Sequence, residues 1–585
     1  MSRTHQSWLL ALVAVATLSF SGAALAGDIY DKDAPKPDAV ALPKPADIQT
    51  LEIYPTKIAL KGSDDAQQFV LTAKLAGDKL QDLSMDATYE VANPKIVRVT
   101  SSGRVIPLSN GATEVVAKFG DKSVKVPVTT DQVDIDLPIN FGNQIVPIFT
   151  KLGCNSGGCH GKASGQGGFK LSLLGFDPEF DYSALVKEAR GRRLFPVAPE
   201  HSLLLLKATG TMAHGGGKRT EVGSDEYKLM RRWIGAGTPF GKPEDPVVTK
   251  ITVYPEHRVM TRHGKQQFAV YAHYSDNSIE DVTRRAQYDS NDTEVAIVDG
   301  TALVRTLTMT GESAIMARYQ GQVAVFRSTV PSDIKTPAYQ FPYLTAVDKH
   351  THNKWQQLNL VPSELCNDEQ FIRRASVDIT GTMPTPKAVN DFVNDKDPQK
   401  RDKLVDRLID TQEYSYYFAN KWADILHVKR RQQQGNAAQG TFAFHAWIRE
   451  AMASDMPYDE FAREILTATG DESKHAPTVW YKELQQPNQF VDDTAQVFLG
   501  LRLACAQCHH HPYEKWGQDD YWGIAAFFGR IGRKNIAVPG YQGQNGQGRT
   551  LLAVYNLGQG NVTNKRTNQP AIMKPLDGAP MIVER

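Results

Sequence analysis

Cysteine is scarce in this chain of 585 residues. Five cysteines are too few to staple so long a protein as a disulfide scaffold. An excess of charge of either sign is missing as well: 66 lysines and arginines face 65 aspartates and glutamates, for a formal net charge of +1. The basic surplus that holds nucleic acid is therefore absent, and so is a polybasic stretch that could hold a membrane surface. The short Lys429-Arg430-Arg431 run, beside Gln432–Gln434, reads as a solvated loop. Past the N-terminus no stretch approaches the roughly 18 apolar residues of a membrane span, and Leu203–Leu206 is only a short core run. Neither an integral membrane segment nor a nucleic-acid partner is expected. The hydrolytic patterns G-x-S-x-G and H-E-x-x-H are also missing.

What is present begins with an export signal. Arg3 is followed by an apolar run from Trp8 to Phe20 that is too short to cross a bilayer, and Ala24-Leu25-Ala26 before Gly27 has the form of a signal-peptidase site. A cleavable signal peptide over 1–26 and a linker over 27–48 are expected; an uncleaved N-terminal anchor is the alternative. No cysteine precedes Cys154, which excludes a lipoprotein anchor. The mature chain is placed in the periplasm, at the cell surface or outside the cell.

Length alone implies several domains. A repeat runs through the chain at an offset of 199 to 200 residues: Leu51–Pro55 (LEIYP) returns as Ile251–Pro255 (ITVYP), Gln67–Phe69 (QQF) unchanged as Gln266–Phe268, and Asp82–Ser84 (DLS) as Asp281–Thr283 (DVT). Each copy alternates apolar and polar residues between turn signals, the pattern of short antiparallel strands in a β-sandwich. The copies span 49–132 and 249–332, and with no cluster of catalytic residue types in either they read as spacer or adhesion modules. The segment between them, 136–245, has an amphipathic helix from Phe141 to Leu152, kinked or shortened by Pro147, and a closing helix with Ser224 as its cap and Gly235 and Gly237 as its stop. From 345 to 533 the pattern is helical. Starts are marked by Thr385-Pro386 and Asp397-Pro398, and further helices are expected over 412–427, 441–453, 457–468 and 489–504. Residues 534–585 are rich in Gly, Asn and Gln and read as a linker; an evident closing element is missing before Arg585, as expected of a truncated chain. The fold class is thus multidomain α+β: two β-sandwiches flank a mainly α domain, and a mostly α-helical domain follows.

Four of the five cysteines form two tight pairs, each followed by histidine; Cys366 stands alone and reads as an inert buried thiol. Cys505-Ala-Gln-Cys508-His509 fits C-x-x-C-H, in which two thiols three residues apart reach the two vinyl groups of one porphyrin and the histidine binds the iron. Three alternatives stay open: a disulfide, which leaves the histidine unexplained, a zinc site completed by His510 or His511, and chance. Cys154-Asn-Ser-Gly-Gly-Cys159-His160 has four residues between its thiols, and its glycines could let the longer loop bulge. A ligand on the far side of the iron would come from Met212 or His214, with His214 ranked first and a solvated loop histidine as its bland reading. Gly161–Gly168 is unlike the helix that usually follows such a histidine. Distal candidates for the second site are His427, His445, His510, His511 and several methionines.

The two repeats resemble the bacterial immunoglobulin-like group 2 domain, through their Tyr-Pro entry and Asp-Val-Thr element. Leu152–Gly161, Gly168–Asp177, Pro199–Lys207 and the His214-Gly-Gly-Gly loop resemble the cytochrome c-like module of large exported planctomycete proteins. Arg373–Pro384, Cys505–Trp516 and Gln518–Phe528 are similar to the helical module of unknown function that follows it there. The resemblance implies an architecture, an exported location and haem c, in two copies, but no established reaction. Polysaccharide is the partner class it adds, and oxidation of a sugar is an extension by analogy.

The leading expectation is a di-haem protein that passes single electrons to a redox partner protein or small electron carrier. His160 and His509 would bind iron, and Cys154, Cys159, Cys505 and Cys508 would form thioethers. A surface binding or scaffolding protein with disulfides, and a metal-dependent hydrolase on Cys505, Cys508 and His511, are the other classes.

Overall fold

The computed structural model describes residues 40–334, 337, 339–428, 438–511, 514–542 and 548–581. The signal segment with its Ala26–Gly27 junction, most of the 27–48 linker, the Lys429–Arg431 run and the chain past Met581 lie outside the described residues. The chain divides into two units, Met1–Pro331 and Ser332–Arg585. Strands dominate the first and helices the second, which makes the protein multidomain α+β.

In the first unit the two repeats share one strand order. Ile48–Tyr54, Val70–Leu75 and Leu80–Asp82 form a three-stranded sheet. Ile58–Lys61, Lys122–Asp131, Gly111–Phe119 and Thr88–Val91 form a four-stranded one. Gln67–Gln68, Arg104–Pro107 and Val97–Val99 make a third. The second repeat reproduces all three, from Val248–Tyr254 to Gln322–Val330, including the parallel pairing of its second and last strands. Period-two alternation drives this: along Lys122–Asp131, Val126, Val128 and Thr130 point inward and their neighbours outward. Phe69 and Phe268, both fully buried, centre the two cores.

The repeats meet each other through equivalent residues. Tyr54 stacks on Tyr254 with ring centres 3.8 Å apart, and Val70, Ala269 and Tyr271 pack around them. Gln267 N donates to Asp82 (3.0 Å), and Gln68 N donates to Asp281 (2.7 Å). Each contact is thus matched by its counterpart one repeat away, as in a self-complementary dimer interface built into one chain.

Between the repeats, a π-turn at Phe141–Ile145 leads into the helix Val146–Lys151, with Pro147 in its first turn, where a missing N–H costs nothing. The closing helix is Asp225–Gly235. Ser224 Oγ accepts from Tyr227 N, Gly237 adopts a φ of +83° just beyond the end, and Trp233 is fully buried with its Nε1 on Pro239 O. Phe141, Phe149, Leu205 and Trp233 share one core.

The second unit has helices at Ala346–Leu358, Asp368–Thr380, Pro386–Asn394, Lys400–Ile409, Gln412–Ile425, Ala438–Ala453, Tyr458–Leu466, Pro487–Phe498 and Gln518–Phe528, with shorter turns between. Three sequence expectations are corrected here. The helix assigned to Asp397-Pro398 begins only at Lys400, because the Asp397 side chain is occupied by Gln399 N and Lys403. Cys366 is half-exposed rather than buried. Residues read as a linker after Lys534 form a hairpin, Ile531–Gln542 with Gly548–Asn556, which also pairs with Gly470–Asp471. Its apolar face, Ile531, Leu552 and Val554, packs on the helical core, and burial of that face overrides the Gly and Gln content around the turn. Residues 543–547 of that stretch are outside the described set.

Burial pushes the Asp82 carboxyl up to about 6, against the opposing hydrogen bonds from Ser84 and Gln267. An unfolded aspartate titrates near about 3.9, so the folded chain holds the extra proton between about pH 4 and 6, and this group's stabilisation falls as pH rises through that window. The two units of difference correspond to about 3 kcal/mol. Asp82→Asn is expected to melt below the wild type at acid pH, with the gap narrowing as pH rises from about 4 to 7. Thermal unfolding followed by circular dichroism checks this, and a gap independent of pH contradicts it.

Candidate cofactor site

Between Gly153 and Ser172 the chain forms neither helix nor named strand, so its own turns must place the first cysteine pair. Gly153 (φ +70°) ends the preceding helix, and Cys154 N returns to Phe149 O at 2.8 Å. The four intervening residues fold back on themselves: Cys159 N and Gly161 N both donate to Ser156 O, and His160 N donates to Cys154 O at 3.0 Å. The longer spacing is thereby closed into one compact loop with the histidine tied to the first cysteine. Gly161 is required sterically, since a Cβ there would lie 2.0 Å from Asn155 O and 2.9 Å from Ser156 O.

His160 is half-buried and its Nδ1 is 3.0 Å from Phe169 O. His214 Nδ1 is 2.9 Å from Gly217 O. With each Nδ1 carrying a proton to a backbone carbonyl, the lone pair of each ring sits on Nε2, the arrangement common behind metal-ligating histidines. The two rings lie parallel within 9°, with centres 6.2 Å apart. Two imidazoles bonded to one metal ion at about 2 Å each would have centres about 6 Å apart, so the spacing of the pair is compatible with a shared ion. Gly216 borders this space: a Cβ there would lie 3.0 Å from His214 Cε1 and 3.5 Å from Arg219 Nη2. Met212 is 41 % exposed, and the ring that faces His160 is that of His214. Burial lowers the His160 pKa, which keeps the imidazole neutral and able to ligate. Burial also pushes the Cys154 thiol up to about 12, with Arg219 opposing. Arg219 Nη2 lies 3.6 Å from Cys159 Sγ.

The second pair stands on a different support. The helix expected over 489–504 stops at Phe498, where Leu501 N closes on Ala495 O around Gly500 (φ +67°). Cys505 and Cys508 sit instead on a separate 3-10 turn, Ala504–Gln507. Leu503 and Ala506 are buried against Trp516, Tyr521 and Trp522, which turns both thiols outward. Trp522 Nε1 and Gln518 Nε2 hold the Gln507 carbonyl at 3.2 and 3.3 Å. His509 Nδ1 lies 2.6 Å from His510 O, again leaving Nε2 for another partner. Of the distal candidates, His427 Nε2 faces Asp493 at 3.3 Å and His445 Nε2 faces Asn420 at 2.9 Å. His511, 7 % exposed, is not gathered with Cys505 and Cys508: among the described residues no three His, Cys, Asp or Glu converge as a metal ion would need. All five cysteines are unbonded thiols.

Three residues that sequence reasoning missed complete the first site: Phe169, Arg193 and Arg219. None belongs to a spacing pattern, and only the fold brings Phe169 and Arg193 to His160 and Arg219 to Cys159.

Residues 346–533 match the family model PSCyt2, described as a protein of unknown function (DUF1549). No curated protein matches the chain. Among solved structures, domains 5-6 of the S-layer protein SbsC are similar at 12% identity, covering 49% of this chain and 99% of that one, with a TM-score of 0.21. Domains 4 and 5 of the same protein are similar at 12% identity, with 48% and 98% covered and a TM-score of 0.13. Invasin, a bacterial integrin-binding protein, is similar at 13% identity, with 48% and 59% covered and a TM-score of 0.11. These scores are too low to establish a shared fold. No helix among the described residues is long and apolar enough to cross a membrane.

Gly161→Ala is expected to destabilise the chain by about 1–3 kcal/mol, because the new methyl must displace backbone. Gly158→Ala, whose Cβ meets nothing within 4 Å, is the control. Equal melting temperatures for the two variants would contradict the loop closure described.

Proposed function

We propose that this chain is an exported di-haem c protein that transfers single electrons. Cys154, Cys159, His160 and His214 would hold one haem, and Cys505, Cys508 and His509 would hold the other. The observation that carries this is the parallel His160–His214 pair, each ring fixed by a backbone carbonyl on Nδ1. When bound, haem supplies a one-electron iron couple whose potential its axial ligands set; two histidines give a lower value than histidine and methionine.

The chain's own residues have four tasks. His160 and His214 would each offer an Nε2 lone pair to the iron. Phe169 O and Gly217 O draw on the Nδ1 protons and make both rings stronger donors. Cys154 and Cys159 would add S–H across a vinyl group each, a bond that needs no oxidant. The thiol that burial keeps protonated at Cys154 is poorly suited to be a thiolate ligand of zinc. Arg219, against Cys159 and Gly216, supplies positive charge at the edge of the space between the rings. The identical strand order of the repeats supports reading them as immunoglobulin-like modules, and the short helices around Trp233 support a cytochrome c-like middle domain. A redox partner protein or small carrier is the partner class that fits; polysaccharide rests on analogy alone.

A second reading, a surface scaffold, draws support from the reciprocal packing of the repeats. Expression with and without a cytochrome c maturation system separates the two. A pyridine haemochrome and an intact-mass gain of two haems are expected. Met212→Ala should leave the low-spin spectrum unchanged, and His214→Ala should turn one haem high-spin. Mass loss of two hydrogens per cysteine pair with no haem would leave the scaffold.

A further inference from the structure

Arg193 is a buried cation, 5 % exposed, in the interior of the first site. Its terminal nitrogens go to backbone carbonyls, Nη1 to Ala184 O at 2.6 Å and Nη2 to Gly168 O at 2.8 Å. Its guanidinium lies 4.6 Å from the centre of the Phe169 ring. That ring is in turn 4.7 Å from the His160 ring, and the Phe169 carbonyl is the acceptor for His160 Nδ1. The loop that carries Phe169 has no helix to fix it. Gly165, Gly167 and Gly168 all have positive φ, and a single bridge, Gln166 to Phe169, is its only ladder.

We infer that Arg193 is the positioning residue of His160: it holds Gly168 O and packs on the Phe169 ring, fixing the residue whose carbonyl orients the imidazole, and it places a buried positive charge behind the ligand. Only a planar guanidinium can reach two carbonyls and still lie over a ring; a lysine keeps the charge and loses the fork. A charge removed from water acts over a longer reach than an exposed one, and a positive charge here favours the reduced iron. The electrostatic part rests on the haem reading above; the positioning part does not.

The test uses the full chain, comparing wild type with Arg193→Gln, Arg193→Lys and Arg192→Gln, which removes the same charge at an exposed neighbour. In haem-loaded protein, Arg193→Gln is expected to cut the reduced-to-oxidised ratio of one haem about tenfold at fixed poise, a fall of about 59 mV. Arg192→Gln should leave it near the wild-type value. Arg193→Lys should keep the midpoint near wild type while changing the electron paramagnetic g-values, because ring orientation is altered with the charge retained. In unloaded protein, nitrogen-15 NMR should show the Nδ1–H tautomer of His160 in wild type and a mixture in both Arg193 variants. If Arg193→Gln does not accumulate folded, the lysine variant decides on tautomer and g-values. Unchanged tautomer populations, or a midpoint shift equal to that of Arg192→Gln, would overturn the inference. A wild-type chain that takes up no haem ends the haem reading and with it the electrostatic part, and the tautomer measurement still decides the positioning role.

Discussion

Twenty residues without helix or strand, Gly153 to Ser172, must find partners for every buried N–H and C=O among themselves and their immediate neighbours. That requirement shapes the first site. Cys154 N uses the last turn of the preceding helix, His160 N uses Cys154 O, and Leu171 N uses His160 O at 2.8 Å. Leu174 N takes Asn155 O, and Ser172 gives both its N–H and its hydroxyl to the buried Asp181. A helix would have satisfied the same groups locally and left the two cysteines on adjacent turns. Here the loop satisfies them by folding back, and the two extra residues between the thiols are absorbed in the fold-back.

The three histidines proposed as iron ligands share one device. His160, His214 and His509 each set Nδ1 against a main-chain oxygen: that of Phe169, Gly217 or His510. A carbonyl acceptor fixes the tautomer without adding a charge and leaves the lone pair on Nε2. The sites differ in what stands behind the device. At His160 the acceptor belongs to Phe169, whose ring and preceding carbonyl a buried arginine holds; at His509 the acceptor is the next residue along the exposed face of a turn.

Where the chain was legible in its sequence, a single residue type had a single local job. Ser224 as a cap, Pro147 in a first turn, Thr385 before Pro386 and the stops at Gly235 and Gly237 follow from backbone chemistry within a few residues. The cysteine-histidine spacing was legible for the same reason. What was not legible depended on tertiary burial. The Ile531–Gln542 strand looked like linker because Gly, Asn and Gln surround its turn, yet Leu552 and Val554 opposite it are core residues of the helical unit. The helix before Cys505 reads on to 504 by periodicity, but Gly500 breaks it and lets Leu503 and Ala506 turn into a second apolar cluster. Arg193 has no sequence signal at all, since its partners are carbonyls that any residue carries.

The repeats, read from sequence as spacers, also frame the first site. Lys151, one turn before the cysteine loop, sends its ammonium to Gly300 O of the second repeat at 2.9 Å, and Tyr319 of that repeat donates to Asn143 O at 2.8 Å. The closing helix is tied to the first repeat through Arg104 and Asp225 at 2.6 Å. The two ends of the segment that holds His160 and His214 are thus anchored in different repeats, which themselves interlock through Asp82, Asp281 and the Tyr54–Tyr254 stack. A loop with no regular structure of its own keeps two imidazoles parallel only if its flanking helices cannot separate. The interlocked repeats supply that restraint, so loosening the Tyr54–Tyr254 contact should be felt at a histidine pair it never touches.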